Sequence, residues 1–246
     1  MSDQKRIGVI LPASNVVVEP DFYRAVPPGV TVHAARFAVP SVPYTPEGLK
    51  RMDDEIVTSG RYLAEAKVDA IGLIVLHSTV SHEGESAKEM ERRVGEAAGV
   101  PVIRTSSSAM MALRALGAKR VTLGTPYSSY INNSLTAGIR GAGMEVASVA
   151  PDDRLVDGPD ETITAQSPDD IVEFGVGACS PEADAMFFPC NLWHVFDAAD
   201  RIEQRLGKIV VTASQATLWR CLRVAGVESG SDGWGRLLAT MPPLPS

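Results

Sequence analysis

Short, unbroken apolar runs alternate along this chain with longer stretches in which apolar residues recur every three to four positions. The first run, Ile7-Gly8-Val9-Ile10-Leu11-Pro12, lacks polar alternation, the pattern of a strand covered on both faces in a parallel sheet. Residues 16–25 then read as a helix, with Glu19 and Asp21 early in it, where acids suit the helix dipole. The same plan predicts a strand over 31–39, a proline-rich loop over 40–44, and a long helix opened by Thr45 as cap and Pro46 at the first helical position. A strand over 70–76, a helix over 86–98 and a strand over 102–104 follow. Thr105-Ser106-Ser107-Ser108 then leads into a helix over 109–116.

From Arg120 the plan restarts. A strand ending in Thr125-Pro126-Tyr127-Ser128 echoes the opening strand, its proline and its polar turn, and precedes a helix over 130–141. A strand over 146–149, a polar loop over 151–166, a helix over 168–178 and a strand over 185–189 come next. A helix over 195–206, a strand over 208–214 and a helix over 215–224 close the series. Strand–helix units in two successive sets imply an α/β fold of two pseudo-symmetric halves, each a small parallel sheet flanked by helices. The halves are expected at 1–117 and 118–225, with the Gly- and Pro-rich tail 226–246 packing back on the first.

Composition narrows the partners. With 246 residues and a net charge of −7, the chain can bury a substantial core but offers no basic stripe for nucleic acid or an anionic membrane. No apolar run approaches the roughly 20 residues of a membrane span, and the N-terminus lacks a signal-peptide pattern, so a cytoplasmic location is expected. Cys179, Cys190 and Cys221 show no CxxC spacing, so free thiols are expected, with neither a disulfide framework nor a metal site. Cys179 and Cys221 fall within predicted helices and read as core. A homodimer is the default assembly.

In open parallel sheets, ligands bind beyond the carboxyl ends of the strands, and the polar residues at those ends are the candidates. Asn15 follows the first strand, with a plain helix cap as its competing reading. His77, Ser78 and Thr79 follow the third, with His82 close behind. The strand Ala185-Met186-Phe187-Phe188-Pro189 runs into Cys190 and Asn191. A thiol between a buried strand and a helix start lies beside unpaired backbone N–H groups, whose partial positive charge favours thiolate. If the halves face each other, Asn15 converges with Tyr127, and His77-Ser78 with Cys190-Asn191.

Pro12-Ala13-Ser14-Asn15 with Glu19, Thr45-Pro46-Glu47-Gly48, Ala115-Leu116-Gly117 with Arg120-Val121, Thr125-Pro126-Tyr127, the Cys190 strand end and Arg205-Leu206-Gly207 together resemble the aspartate/glutamate racemase superfamily. Within it, they are most similar to the maleate cis-trans isomerase and arylmalonate decarboxylase branches. The resemblance implies a site between the halves and no metal or organic cofactor. Its racemases place a cysteine on each face of the substrate. Here the second corresponds to Cys190, whereas the first position falls on Leu76, beside His77 and Ser78. A solitary thiol fits the decarboxylase branch, in which one cysteine protonates an enediolate. The resemblance therefore implies a small carboxylate substrate, catalysis by Cys190 with His77 beside it, and binding by Asn15, Ser78, Thr79, Tyr127 and Asn191.

Three other readings use the same residues. Cys190 with His77, His82 or His194 as base would make a thiol hydrolase acting on an amide. An isomerase or racemase without the first cysteine is the second, and a small-ligand binding protein the third.

Overall fold

The computed structural model describes residues 4–39, 45–74, 85–156 and 158–245. Eight strands form two four-stranded parallel sheets. The first contains β1 (Lys5–Pro12), β2 (Val30–Phe37), β3 (Ala70–Leu73) and β4 (Val102–Arg104) in the order β2-β1-β3-β4. The second contains β5 (Arg120–Thr125), β6 (Glu145–Pro151), β7 (Ala185–Phe188) and β8 (Ile209–Thr212) in the order β6-β5-β7-β8. The two orders are identical when the first four strands are laid on the last four, so the chain is an α/β fold of two like halves. In each sheet the order reverses between the first and third strands, which opens a crevice at their carboxyl ends.

In the described residues of the first half, the helices are α1 (Val18–Ala25), α2 (Pro46–Glu65), α3 (Glu85–Ala98) and α4 (Thr105–Ala115). In the second they are α5 (Ser129–Gly141), α6 (Asp160–Thr164), α7 (Pro168–Ala178), α8 (Val195–Leu206), α9 (Ala213–Val224) and α10 (Arg236–Thr240). The Thr45 cap is formed: its hydroxyl accepts from Gly48 N at 3.0 Å, with Pro46 in the first turn. Gly207 ends α8 at φ +68°, a conformation that favours glycine.

The strands divide their side chains between two kinds of core. Ile7, Val9 and Leu11 of β1 share one cluster with Val121 and Leu123 of β5, Phe187 of β7, Val211 of β8 and Trp219 of α9. The outer faces carry separate clusters, with Ile10, Ile56, Ile71 and Val94 in the first half and Ile171, Met186, Phe188 and Ile202 in the second. The halves therefore share one interior. α9, which follows β8 of the second sheet, lies against β3 of the first: a Cβ on Gly72 would meet Thr217 Cγ2 at 3.0 Å and Cys221 Sγ at 3.3 Å.

Four segments depart from the pattern read in the sequence. Thr105 to Ser108 belong to α4 itself, because their hydroxyls turn back on the preceding strands: Thr105 donates to Leu73 O at 3.0 Å and Ser108 to Arg104 O at 2.7 Å. Likewise Ala213 and Ser214 open α9, with Thr212 accepting from Gln215 N as its cap. The polar stretch after β6 contains the one-turn helix α6, anchored by buried Ile163. Cys179 lies at the end of α7 rather than inside it, half-buried, while Cys221 is buried within α9.

Beyond Gly226 the chain runs over α9 and β8. Trp219 Nε1 donates to Pro242 O at 2.9 Å, Gln215 Nε2 to Trp234 O at 2.7 Å, and Trp234 packs edge-on to Phe196. The tail reaches the first half through Arg24, which lies over the Trp234 ring at 5.1 Å. No helix among the described residues is long and apolar enough to cross a membrane.

Candidate active site

Four connections follow the carboxyl ends of β1, β3, β5 and β7. The one after β3 holds His77, Ser78, Thr79 and His82, which lie outside the described residues, as does the Leu76 position. The other three meet around Cys190.

After β1, Asn15 is buried and performs two tasks. Its Oδ1 accepts from Val17 N at 3.1 Å and Val18 N at 3.0 Å, capping the start of α1, and its Nδ2 donates to Asn191 O at 3.2 Å across the boundary between the halves. Arg36 of β2 fixes this turn, donating to Pro12 O at 3.4 Å, Ala13 O at 3.2 Å and Asn15 O at 2.8 Å while pairing with Glu19 at 2.6 Å. A guanidinium pinned by three carbonyls and a carboxylate holds the backbone that presents Asn15.

After β5, buried Asn132 of α5 shapes the Tyr127 turn. Its Nδ2 donates to Tyr127 O at 2.8 Å, and its Oδ1 accepts from Thr125 Oγ1, also at 2.8 Å. Thr125 Oγ1 in turn accepts from Tyr127 N at 3.3 Å.

After β7, Cys190 is 4% exposed and Asn191 6%. The Asn191 carbonyl receives Asn15, and its Oδ1 accepts from Ser214 Oγ at 2.9 Å. Tyr127 and the backbone N–H groups of Leu192 and Trp193 act on the Cys190 sulfur and favour its anion. Those N–H groups lower its pKa, as the strand-end position suggests, but burial outweighs them and pushes the thiol up to about 11. Removal from water costs the anion more than the three donors return, so burial favours the protonated thiol, the form that gives up a proton in the decarboxylase reading. Burial also raises the Tyr127 phenol well above its ordinary value, and the Cys190 charge adds to this.

Structure thus joins Asn15 to Asn191 and Tyr127 to Cys190 in one constellation at the boundary of the halves. Of the histidines, His194 directly precedes α8 and is not among the groups acting on the thiol, while His33 lies on β2 against Thr31. Arg36, Asn132 and Ser214 were not picked out from the sequence. Ser214 is the second residue beyond the end of β8, so the strand-end rule that found Asn15 and Cys190 would reach it; Arg36 and Asn132, inside a strand and a helix, carry no local signal. Among the described residues no three His, Cys, Asp or Glu side chains gather as metal ligands.

The chain is similar to known proteins along nearly its whole length. The family model described as arylmalonate decarboxylase matches residues 7–238. A maleate isomerase from Geobacillus stearothermophilus is 25% identical over 254 residues, covering 97% of this chain and 99% of its own. An arylmalonate decarboxylase from Bordetella bronchiseptica is 27% identical, covering 94% and 95%. The crystal structure of the maleate isomerase Iso from Pseudomonas putida S16 superposes with a TM-score of 0.83 at 27% identity, covering 96% and 99%.

Proposed function

The chain belongs to the arylmalonate decarboxylase family, and from that premise we propose that it is a cofactor-independent enzyme that acts on a small carboxylate through Cys190, by decarboxylation of a malonate-type substrate. The observation that carries this reading is the burial of Cys190, 4% exposed in one cluster with Trp193 and with Tyr127 packed against it, because burial favours the protonated thiol. A proton donor is what decarboxylation needs from the protein, whereas addition of sulfur to a double bond needs a thiolate.

In this reading one substrate carboxylate is retained and bound by neutral donors at the Tyr127 and Asn191 turns, together with Ser78 and Thr79. The bond from the α-carbon to the other carboxylate breaks, CO2 leaves, and the electron pair passes into an enediolate on the retained side. Cys190 Sγ–H then gives its proton to the α-carbon. The thiolate so formed meets the Tyr127 hydroxyl and the Leu192 and Trp193 N–H groups, the three donors that favour the charged sulfur, and recovers its proton from water. His77 is proposed to act beside the substrate, opposite Cys190.

The test is a panel of arylmalonates and maleate in D2O with wild type and Cys190→Ala. Release of CO2 with deuterium at the product α-carbon, lost in the variant, is expected. Conversion of maleate to its trans isomer through a mass-detectable thiol adduct would replace the decarboxylase reading with an isomerase. Release of an amine from an amide, with an acyl-enzyme burst, would replace it with a hydrolase. Full activity in a folded Cys190→Ala protein would remove the thiol from the chemistry altogether.

A further inference from the structure

The connection between β6 and α7 is the most one-sided stretch of charge in the molecule. From Asp152 to Asp170 it contains seven acids and one base, Arg154, a net of −6 against −7 for the whole chain. Arg154 is committed to Asp152 at 2.7 and 2.9 Å, and Asp169 is met by Arg201 at 2.8 Å. Asp160, exposed in the turn of α6, pairs with no cation among the described residues.

This segment is fastened to the apolar cluster that holds Cys190. Leu155 before Asp160 and Ile163 after it are buried in the same apolar cluster as Cys190 and Trp193, and Tyr127 packs against that cluster. The Asp160 charge acts on both Tyr127 and Cys190, and in each case it opposes formation of the anion. Arg36, which donates to the Asn15 turn, is already paired with Glu19. The described turns around the site therefore offer neutral donors, while α6, packed on the same cluster, carries an unneutralised carboxylate whose charge reaches the thiol.

We propose that Asp160 is the charge-selecting residue of the Cys190 site, repelling negative charge presented to the thiol from the α6 side and favouring a neutral or cationic group there. The proposal rests on the reading of Cys190 as the reacting thiol and adds the substrate's polarity to it. The retained carboxylate is left to the neutral donors of the turns. In a malonate the departing carboxylate then faces Asp160, and its loss as neutral CO2 removes a like-charge contact.

Three small alkylating probes separate charge from access: anionic iodoacetate, neutral iodoacetamide and cationic 2-bromoethylammonium. Adducts on Cys190 are counted by peptide mass spectrometry, so that Cys179 and Cys221 do not contribute. In Asp160→Asn, the iodoacetate rate relative to iodoacetamide is expected to rise about fivefold, and the 2-bromoethylammonium rate relative to iodoacetamide to fall by a similar factor, both effects shrinking in high salt. Asp160→Glu should restore the wild-type ratios. Ratios unchanged in Asp160→Asn, with Cys190 still alkylated, would overturn the role of Asp160 and leave the reacting thiol standing. Failure of all three probes to label Cys190 even in alkaline solution would overturn both.

Discussion

Asp21 offers a quantitative test of the boundary between the halves. Its carboxylate is 1% exposed on α1, six residues beyond Asn15; Oδ1 accepts from Arg24 Nη2 at 2.5 Å, whereas Oδ2 has no partner. Arg24 reaches across to Asp197 of α8 at 2.8 and 3.0 Å and lies over Trp234, so one guanidinium serves two acids from opposite halves. Burial dominates: despite Arg24, the Asp21 pKa is pushed up from 3.8 to about 7, with the Asp197 charge contributing. The folded state therefore holds a proton that the unfolded chain has released. Stability from this group is fully present below 3.8, declines as pH rises toward about 7, and is lost above it. At 1.36 kcal/mol per tenfold change in proton affinity, the full cost of ionising Asp21 is about 4 kcal/mol.

Asp21→Asn keeps an acceptor for Arg24 and cannot ionise. The variant should match wild type at about pH 3.5, exceed it by about 2 kcal/mol at about pH 5, and level off at about 4 kcal/mol above pH 7. Urea unfolding followed by circular dichroism across this range measures the difference directly. A variant that is destabilised equally at about pH 5 and pH 8.5, or a gap that does not widen between them, would refute the assignment of a protonated Asp21 at the boundary.

Three further outcomes follow from the geometry. Tyr127→Phe removes a donor to the thiol; the Cys190 pKa should rise further, seen as slower alkylation in mildly alkaline solution, and turnover should fall by about tenfold to a hundredfold. Gly230→Ala would put a Cβ 2.2 Å from Leu238 O and 2.7 Å from Ala239 O; because both are backbone atoms the tail must shift, and a loss of about 2 to 3 kcal/mol is expected in thermal or denaturant unfolding. Thr45→Ala deletes the side-chain cap of α2 and should cost about 1 kcal/mol by the same measurement.

Most of the fold is legible in the sequence because its signals are local. Unbroken apolar runs such as Ile7 to Leu11 mark strands covered on both faces, and Thr45-Pro46 or Arg205-Leu206-Gly207 mark helix ends through capping and backbone freedom. The repeated order of strand and helix carries the two-half plan, and the identical strand orders agree with it. Boundaries shift where hydroxyls fold back on the backbone, as at Thr105 and Ser108, because that choice depends on neighbouring strand carbonyls. Asn15, Tyr127, Cys190 and Asn191 were also legible as candidates, since strand ends that open on a crevice carry polar residues for a reason other than packing.

Pairwise meetings across distant sequence were not legible. Nothing in the chain's linear pattern says that Asn15 Nδ2 finds Asn191 O, that Arg36 is the clamp of the Asn15 turn, or that Leu155 and Ile163, on either side of Asp160, enter the cluster that holds Cys190. The balance of forces on the Cys190 thiol was not legible for the same reason. Sequence position reveals the N–H groups nearby, but the cost of burial is set by every element packed around the sulfur, and only the tertiary structure assembles those. The sequence determined the two sheets, their helices and which strand ends carry chemistry, through local periodicity and capping. The fold decided which ends meet, how dry their meeting place is and what charge surrounds it, because desolvation and Coulomb forces depend on distance in space rather than along the chain.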